Sequence, residues 1–213
     1  MSTSSRCTSS NGHITCGREY FFDLARVVEN ISTELVDRIS DTIFEAYLED
    51  RTVFLFGNGG SASLASHFAC DLGKGTALPG GSQRRLRVIA LTDNIPVMTA
   101  WANDASYEDI FAEQLRNFVR ARDISIAISA SGNSLNVLRA LQVSRQAGGF
   151  NIGLTGFKGG KLKSLCDLCL IVPSENMQLI EDLHLSIAHS IFTTVRYQMT
   201  GVPSCAVASL TGT

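Results

Sequence analysis

Short apolar segments and helical patterns alternate along most of this chain, and this alternation restricts the fold more than any other feature. Apolar strand patterns occur at residues 53–56, 87–91, 124–128, 151–154 and 168–172. The spacing of apolar residues predicts helices at 61–72, 95–102, 107–121, 134–147 and 177–199. Strands separated by helices in this way form parallel sheets that are covered on both faces. We therefore predict an α/β fold, a three-layer sandwich around a five-stranded parallel sheet.

Length and composition favour a single domain. The chain has 213 residues, of which 45% are apolar, enough to bury one good core. The polar residues 1–18 predict a disordered tail, residues 19–200 one domain, and residues 201–213 a C-terminal tail. Apolar residues at helical spacing from Phe21 to Ile43 predict one long or two shorter extra N-terminal helices, ending by Asp50. These helices either cover the sheet or pack against another subunit.

The charge and hydropathy patterns limit the partners. A formal net charge of −2 gives little support to nucleic-acid binding, which needs basic surface to neutralise phosphates. No apolar run reaches the roughly 20 residues that span a bilayer. The polar N-terminal stretch lacks the apolar core of a signal peptide. We expect a cytoplasmic protein with neither a nucleic acid nor a membrane as its partner.

The placement of the six cysteines favours reduced thiols. Cys166 and Cys169 form the only Cys-x-x-Cys motif in the sequence. A structural zinc site would require a second pair with similar spacing. We interpret both residues as small apolar side chains that lead into a buried strand.

Two of the strand patterns end in small polar residues before a helical pattern begins. Gly57-Asn58-Gly59-Gly60-Ser61 follows the first strand, and Ser129-Ala130-Ser131-Gly132-Asn133-Ser134 follows the third. Glycines let the backbone approach an anion, while hydroxyls and helix N-terminal N–H groups donate hydrogen bonds to it. Neither turn has the spacing of a nucleotide-binding motif. Because ligands bind at the carboxyl ends of parallel strands, the two turns predict a phosphate-sized anion site.

These two turns and two further segments resemble the sugar isomerase (SIS) domain family, and within it the phosphoheptose isomerases. The further segments are Ala102-Asn103-Asp104 with Tyr107-Glu108-Asp109-Ile110-Phe111, and Leu154-Thr155-Gly156 with Gly159-Gly160-Lys161. The resemblance runs from about residue 20 to residue 197. It implies the flavodoxin-like SIS fold and the interconversion of sedoheptulose 7-phosphate and D-glycero-D-manno-heptose 7-phosphate.

The resemblance also implies one zinc ion per subunit. The family holds zinc with a His and a Glu on the helix after the first turn and with a Gln and a His on the last helix. The matching positions here are His67, Asp71, Glu181 and His189. Two histidines and two carboxylates form a reasonable ligand set for zinc. Asp182 and His184 lie close enough along the last helix to replace one of these ligands.

Interconversion of a ketose and an aldose moves a proton between neighbouring carbons through an enediol or enediolate. A carboxylate can act as the base and a histidine as the acid, while a metal ion stabilises the developing oxyanion. The family pattern implies Asp71 as the base and His189 as the acid. Asp71 is one methylene shorter than the family's Glu, which makes Glu181 the alternative base.

The resemblance further implies the substrate contacts. The sugar-lining positions match Asn58, Gly59, Gly60, Ser61, Asn103 and Asp104, with Asp71 and Glu181 beside them, and the phosphate loop matches Ser129, Ala130, Ser131 and Ser134. Ala130 replaces the usual Thr, which removes one hydroxyl donor. Without the resemblance, Asn103 and Asp104 equally fit a turn that ends a helix. Lys74, shifted by one residue from a basic family position, is either a phosphate partner or a solvated side chain.

The family forms homotetramers with active sites at subunit interfaces, so the resemblance implies a homotetramer that binds a phosphorylated sugar. Three functions fit the sequence. The first is the heptose phosphate isomerase, and the second is an isomerase of another phosphosugar. The third is a non-catalytic regulator that binds a phosphosugar or a protein such as the replication initiator. The retained His67 and His189 favour the two enzymes.

Overall fold

A parallel sheet between two layers of helices forms the body of the protein. The computed structural model describes residues 14–77 and 85–200. The strands are β1 (Thr52–Gly57), β2 (Arg87–Ala90), β3 (Ile124–Ser129), β4 (Phe150–Thr155) and β5 (Leu168–Ile171). They form a five-stranded sheet in the order β2-β1-β3-β4-β5, with every pair parallel. The predicted α/β fold is therefore confirmed. Of the predicted tails at 1–18 and 201–213, residues 1–13 and 201–213 lie outside the described residues, while Gly17 and Arg18 belong to α1.

The helices occur close to the predicted positions. They are α1 (Gly17–Val28), α2 (Thr33–Leu48), α3 (Gly60–Cys70), α4 (Ile95–Asp104), α5 (Ala112–Phe118), α6 (Leu135–Gln146) and α7 (Met177–Met199). Two helices form before β1, because Ser32 begins α2 by accepting a hydrogen bond from the backbone N–H of Leu35 at 3.3 Å. The helix predicted at 107–121 is instead a 3₁₀ turn at Tyr107–Asp109 followed by the short α5.

Alternate residues of the central strands point into two different cores. Val53 and Leu55 of β1 pack in the core formed with α2, α3 and α7. Phe54 and Phe56 pack on the opposite face, in the core that includes α5 and α6. Every residue of β1 is buried. A strand covered on both faces reads as a continuous apolar run, which is why its sequence shows no polar alternation.

The two N-terminal helices differ in how they are buried. Helix α2 buries Ile39 and Ile43 against the sheet, so this helix covers the sheet within one chain. Helix α1 has no buried residue, and Phe21 and Phe22 are 68% and 65% exposed. The Tyr20 hydroxyl of α1 donates to Asp182 Oδ2 of α7 at 2.5 Å. Burial, followed by this hydrogen bond, raises the pKa of Tyr20 to about 12.

The cysteines depart from the prediction at one position. Cys70, Cys166 and Cys169 are free thiols, but Cys16 is disulfide-bonded, so the prediction of reduced thiols is wrong there. Sequence spacing does not disclose which thiols approach each other in space. Cys166 and Cys169 are partly buried against the α6 side of the sheet. Among the described residues, no helix combines the length and the apolar character that crossing a membrane requires.

Candidate active site

The site lies where the strand order reverses. In a sheet of this order, β1 and β3 are neighbours whose following segments leave toward opposite sides, which opens a crevice at their carboxyl ends. A cavity of about 160 Å³ lies at this point. It is lined by Asn58 and Ser61 from the turn after β1, by Ser129, Ala130, Ser131 and Ser134 from the turn after β3, and by Glu181 from α7. The two turns thus contribute to one site.

The serines after β3 leave hydroxyl groups available to a ligand. Ser129 Oγ and Ser134 Oγ lie 3.5 Å apart. Ser134 occupies the N-cap position of α6, yet its side chain makes no capping hydrogen bond, and the first turn of α6 carries no acidic residue. The positive end of the α6 dipole therefore remains available to an anion. Together these groups suit a phosphate.

The segment after β4 packs against the serine-containing turn at residues 129–134 and supports it. Gly132 has a φ of 64°, and a Cβ at this position would collide with the backbone of Gly159. The Leu162 N–H donates to the Gly132 carbonyl at 2.9 Å, and the Lys161 N–H donates to Asn133 Oδ1 at 3.1 Å. These contacts support the backbone of the turn that carries the serines.

The end of α3 widens as it meets α7. A π-helical turn at Asp71–Gly75 follows α3 directly. A Cβ on Gly75 would lie 2.6 Å from the ring of Phe192, so a larger residue here would require this ring to move. Single π-helical turns often occur at functional sites, and this one begins with Asp71.

In the described part of the chain, three side chains at the α3–α7 junction could share a metal ion. The Nε2 atoms of His67 and His189 lie 2.9 Å apart. Asp71 Oδ2 lies 3.4 Å from His67 Nε2 and 3.7 Å from His189 Nε2. Ligand atoms about 2.0–2.1 Å from a tetrahedral zinc ion are separated by roughly 3.3 Å. The spacing and the donor types therefore fit zinc, and both histidines remain about half exposed, at 51% and 49% of their side chains.

Glu181 lies outside this group of three ligands. Its Oε2 is 3.1 Å from the position that a Cβ on Gly60 would occupy, and its side chain lines the serine cavity. Eight residues of helix rise by about 12 Å, so Glu181 and His189 meet opposite ends of α3. The Glu181 carboxylate therefore lies at the serine-lined cavity, and the His189 imidazole lies beside His67 and Asp71.

The other proposed ligands on α7 are also absent from the group. Asp182 accepts the hydrogen bond from Tyr20, and His184 is 1% exposed within the α7 side of the core. Burial lowers the pKa of His184 from 6.5 to about 4, against a smaller opposing effect of the Thr155 backbone. His184 is therefore a neutral core histidine at neutral pH.

The buried His184 predicts a specific loss of stability in acid. Its pKa is lower in the folded state, about 4, than the ordinary 6.5, so the unfolded chain binds more protons between these pH values. We expect the contribution of His184 to the free energy of unfolding to fall by about 2 kcal/mol between pH 7 and pH 5. Urea unfolding at both pH values checks this, with His184→Leu as the comparison. Equal pH dependence in both proteins would contradict it.

Gly59, Gly60 and Asp71 are absent from the cavity lining, and so are Asn103, Asp104 and Lys74. Asn103 and Asp104 are exposed at the end of α4, where the Asn103 Nδ2 donates to Asp104 Oδ1 at 2.7 Å. Lys74 is exposed on the π-helical turn. In one chain these side chains face solvent, and their roles toward substrate stay predictions.

Sequence reasoning missed two residues that contact the site. Asn136 of α6 and Tyr107 of the 3₁₀ turn both hydrogen-bond to the side chain of Asn58. Tyr107 lies in one of the segments that carried the family resemblance, and Asn136 lies two residues after Ser134. Nothing in the local sequence shows that either residue reaches Asn58.

Comparisons with known proteins show which family this chain resembles in sequence and in fold. The SIS domain family matches residues 19–156. The phosphoheptose isomerase of Aliarcobacter butzleri is 39% identical over 168 residues, which cover 79% of this chain and 87% of that protein. The phosphoheptose isomerase of Helicobacter hepaticus is 37% identical over 157 residues, covering 74% and 79%. The solved phosphoheptose isomerase from Neisseria gonorrhoeae superposes with a TM-score of 0.78 at 28% identity, over 84% of this chain and 96% of that one.

Proposed function

Because the chain belongs to the SIS domain family, and within it to the phosphoheptose isomerases, we propose that it converts sedoheptulose 7-phosphate to D-glycero-D-manno-heptose 7-phosphate. One observation carries the proposal. The serine-lined cavity and the group of His67, Asp71 and His189 lie along the same helix, α3, and both are completed by α7. A phosphosugar isomerase requires a phosphate-binding site and acid–base groups at a fixed distance from it, and one pair of helices carries both here.

His67, Asp71 and His189 are the residues that would hold one zinc ion per subunit. Their donor atoms lie within 4.8 Å of one another, and imidazole nitrogens with a carboxylate oxygen are typical zinc ligands. When bound, zinc supplies a Lewis acid that stabilises negative charge on a substrate oxygen. The half-exposed histidines leave room for that oxygen.

The proton transfers fall to the two carboxylates. Glu181 lines the cavity that receives the sugar, so we assign to it the proton that moves between the two carbons. Asp71 directs Oδ2 toward the histidines, and its Oδ1 is not needed for that contact and can accept the proton of a substrate hydroxyl. The family pattern instead implies Asp71 as the carbon base and His189 as the acid. The variants Glu181→Gln and Asp71→Asn distinguish these assignments.

A homotetramer is part of the proposal. Phe21 and Phe22 expose a large apolar surface on α1, and the half-exposed His189 lies on the neighbouring α7. Association of chains would cover such surfaces, as monomers seldom expose large apolar patches. Elution as a monomer at every concentration would contradict a shared site.

Incubation with a panel of phosphosugars tests the function. We expect aldose formation from sedoheptulose 7-phosphate to exceed that from fructose 6-phosphate or ribulose 5-phosphate by at least about a hundredfold, since one extra or missing substrate group changes specificity by this order. Removal of zinc with a chelator should abolish turnover, and added zinc should restore it. Faster turnover of another ketose phosphate would redirect the substrate assignment, and turnover that survives complete metal removal would contradict the zinc proposal.

A further inference from the structure

The side chain of Asn58, which lines the cavity, is held by a reciprocal amide pair. Asn58 Nδ2 donates to Asn136 Oδ1 at 2.9 Å, and Asn136 Nδ2 donates back to Asn58 Oδ1 at 2.8 Å. Asn136 is 2% exposed. A partly buried pair that satisfies both partners holds their amide planes together, because either group left alone would lose its hydrogen bonds.

A backbone hydrogen bond determines which atom of each amide is the oxygen and which is the nitrogen. The Val137 N–H donates to Asn136 Oδ1 at 2.9 Å, so this atom is the carbonyl oxygen. The Asn58 atom that faces it must then be the amide nitrogen. Reversal of the Asn58 amide would bring two acceptors together at one contact and two donors at the other.

Tyr107 completes the set of contacts. Its hydroxyl donates to Asn58 Oδ1 at 3.0 Å. An asparagine side chain has two acceptor positions and two N–H donors. Asn136 and Tyr107 use both acceptor positions, and Asn136 Oδ1 uses one donor, so Asn58 retains a single N–H. That donor is the group that the side chain can offer to a ligand in the cavity.

We propose that Asn136 is a positioning residue, which with Tyr107 orients Asn58 so that its remaining N–H meets a sugar oxygen. The inference rests on the proposed isomerase function and extends it to a residue outside the cavity lining. Asn136 lies on the first turn of α6, directly after Ser134 and Leu135. Helix α6 therefore begins at the phosphate-binding turn and also orients the Asn58 amide that contacts the sugar. This arrangement sets the distance between the phosphate contact and the sugar contact.

A double-mutant cycle tests whether Asn136 acts through Asn58. We expect Asn136→Ala and Asn58→Ala each to lower kcat/KM for sedoheptulose 7-phosphate by about tenfold, the size of one or two neutral hydrogen bonds. In the Asn58→Ala background, Asn136→Ala should change kcat/KM by less than about twofold. Effects that multiply in the double variant would overturn the proposal, since Asn136 would then act independently of Asn58.

The pH dependence of kcat/KM distinguishes a loss of Asn58 orientation from a general loss of folded structure. Asn136→Asp keeps the shape of the side chain, but a carboxylate cannot donate to Asn58 Oδ1. Protonation restores the donor. Burial favours the protonated acid, whereas the first turn of α6 and the Val137 N–H favour the carboxylate, so the pKa of the new carboxyl is measured first. As the pH falls through that pKa, we expect kcat/KM of Asn136→Asp relative to the unmodified protein to rise by at least about threefold. A ratio that stays constant through the measured pKa would contradict the proposed orientation.

Two further variants act as controls for folding. Asn151 is fully buried on β4, where its amide donates to the carbonyl groups of Leu141 and Leu165. Asn151→Ala should lower stability and leave kcat/KM per folded molecule unchanged. Tyr107 is 58% exposed, so Tyr107→Phe should keep full stability and still lower kcat/KM about threefold to tenfold. Unchanged kcat/KM in both Tyr107→Phe and Asn136→Ala would overturn the inference.

Calorimetric titration with sedoheptulose 7-phosphate separates the two proposals. If the unmodified protein binds this sugar but does not isomerise it, the proposed function fails. The double-mutant cycle of Asn136 and Asn58 can then be measured with dissociation constants instead of kcat/KM, and it still tests Asn136. We expect the tenfold effects and the coupling to appear there as well. If turnover is normal and the cycle shows no coupling, the inference about Asn136 fails while the isomerase function stands. A protein that neither binds nor converts the sugar would overturn both.

Discussion

The His189→Ala variant is expected to lose turnover of sedoheptulose 7-phosphate by about a thousandfold or more while keeping its fold. His189 supplies one of the three donor atoms that meet between α3 and α7, and loss of a group that stabilises developing charge costs this order of rate. Its side chain is about half exposed, so truncation leaves no cavity in the core. Steady-state kinetics, zinc content per subunit and thermal unfolding measure the three consequences.

The matched control is Ser186→Ala, an exposed change on the same helix whose hydroxyl donates only to the Asp182 carbonyl. It should preserve turnover and zinc. Unchanged turnover in His189→Ala would remove His189 from the mechanism. Loss of turnover with zinc retained at full occupancy would instead assign His189 to proton transfer, as the family pattern implies.

Substitutions of Glu181 and Asp71 are expected to show that the two carboxylates have different roles. We expect Glu181→Gln to lower kcat by about a thousandfold with zinc content unchanged, because a general base contributes roughly 10²–10⁴ to the rate and Glu181 lies outside the three-ligand group. Asp71→Asn should lower both zinc affinity and turnover, since Oδ2 faces both histidines. Both substitutions preserve the size of the side chain. Measurements at saturating zinc give kcat, and titration with zinc gives the affinity.

The same two variants can contradict the assignment of Glu181 as the base. Near-normal turnover in Glu181→Gln, together with an inactive Asp71→Asn that retains zinc, would return the base to Asp71. In that case the shorter aspartate side chain reaches the substrate despite its missing methylene. The position of Asp71 at the start of a π-helical turn would then be the feature that restores its reach.

Most of the fold could be predicted because the local patterns agree with the global one. The apolar residues of β1 are buried on both faces, so a continuous apolar run is the expected pattern for a central parallel strand. The region around Tyr107 could not be predicted in the same way. There Arg139 of α6 pairs with Glu108 and Asp109, and such a tertiary contact overrides helical spacing.

The candidate site was predictable to the extent that its residues share one helix. His67 and Asp71 are four residues apart, and their side chains meet on one face of α3 as this spacing requires. On α7 the family resemblance implied that Glu181 and His189 share a metal ion, but their separation along the axis places them at different ends of α3. Asn136 was not predictable, because its partner Asn58 lies 78 residues away.

The meeting of His67 and His189 has a consequence for the stability of the chain. These residues are 122 positions apart, so an ion held by both would act as a crosslink that closes most of the domain into a loop. An unfolded chain cannot bring the two rings together without a large loss of conformational entropy. At a concentration of zinc about a hundred times its dissociation constant, the folded state should therefore gain about 2.7 kcal/mol. Because His189 lies on α7, an ion held by both histidines could be captured only after α7 has docked against α3, and metal uptake would report this docking.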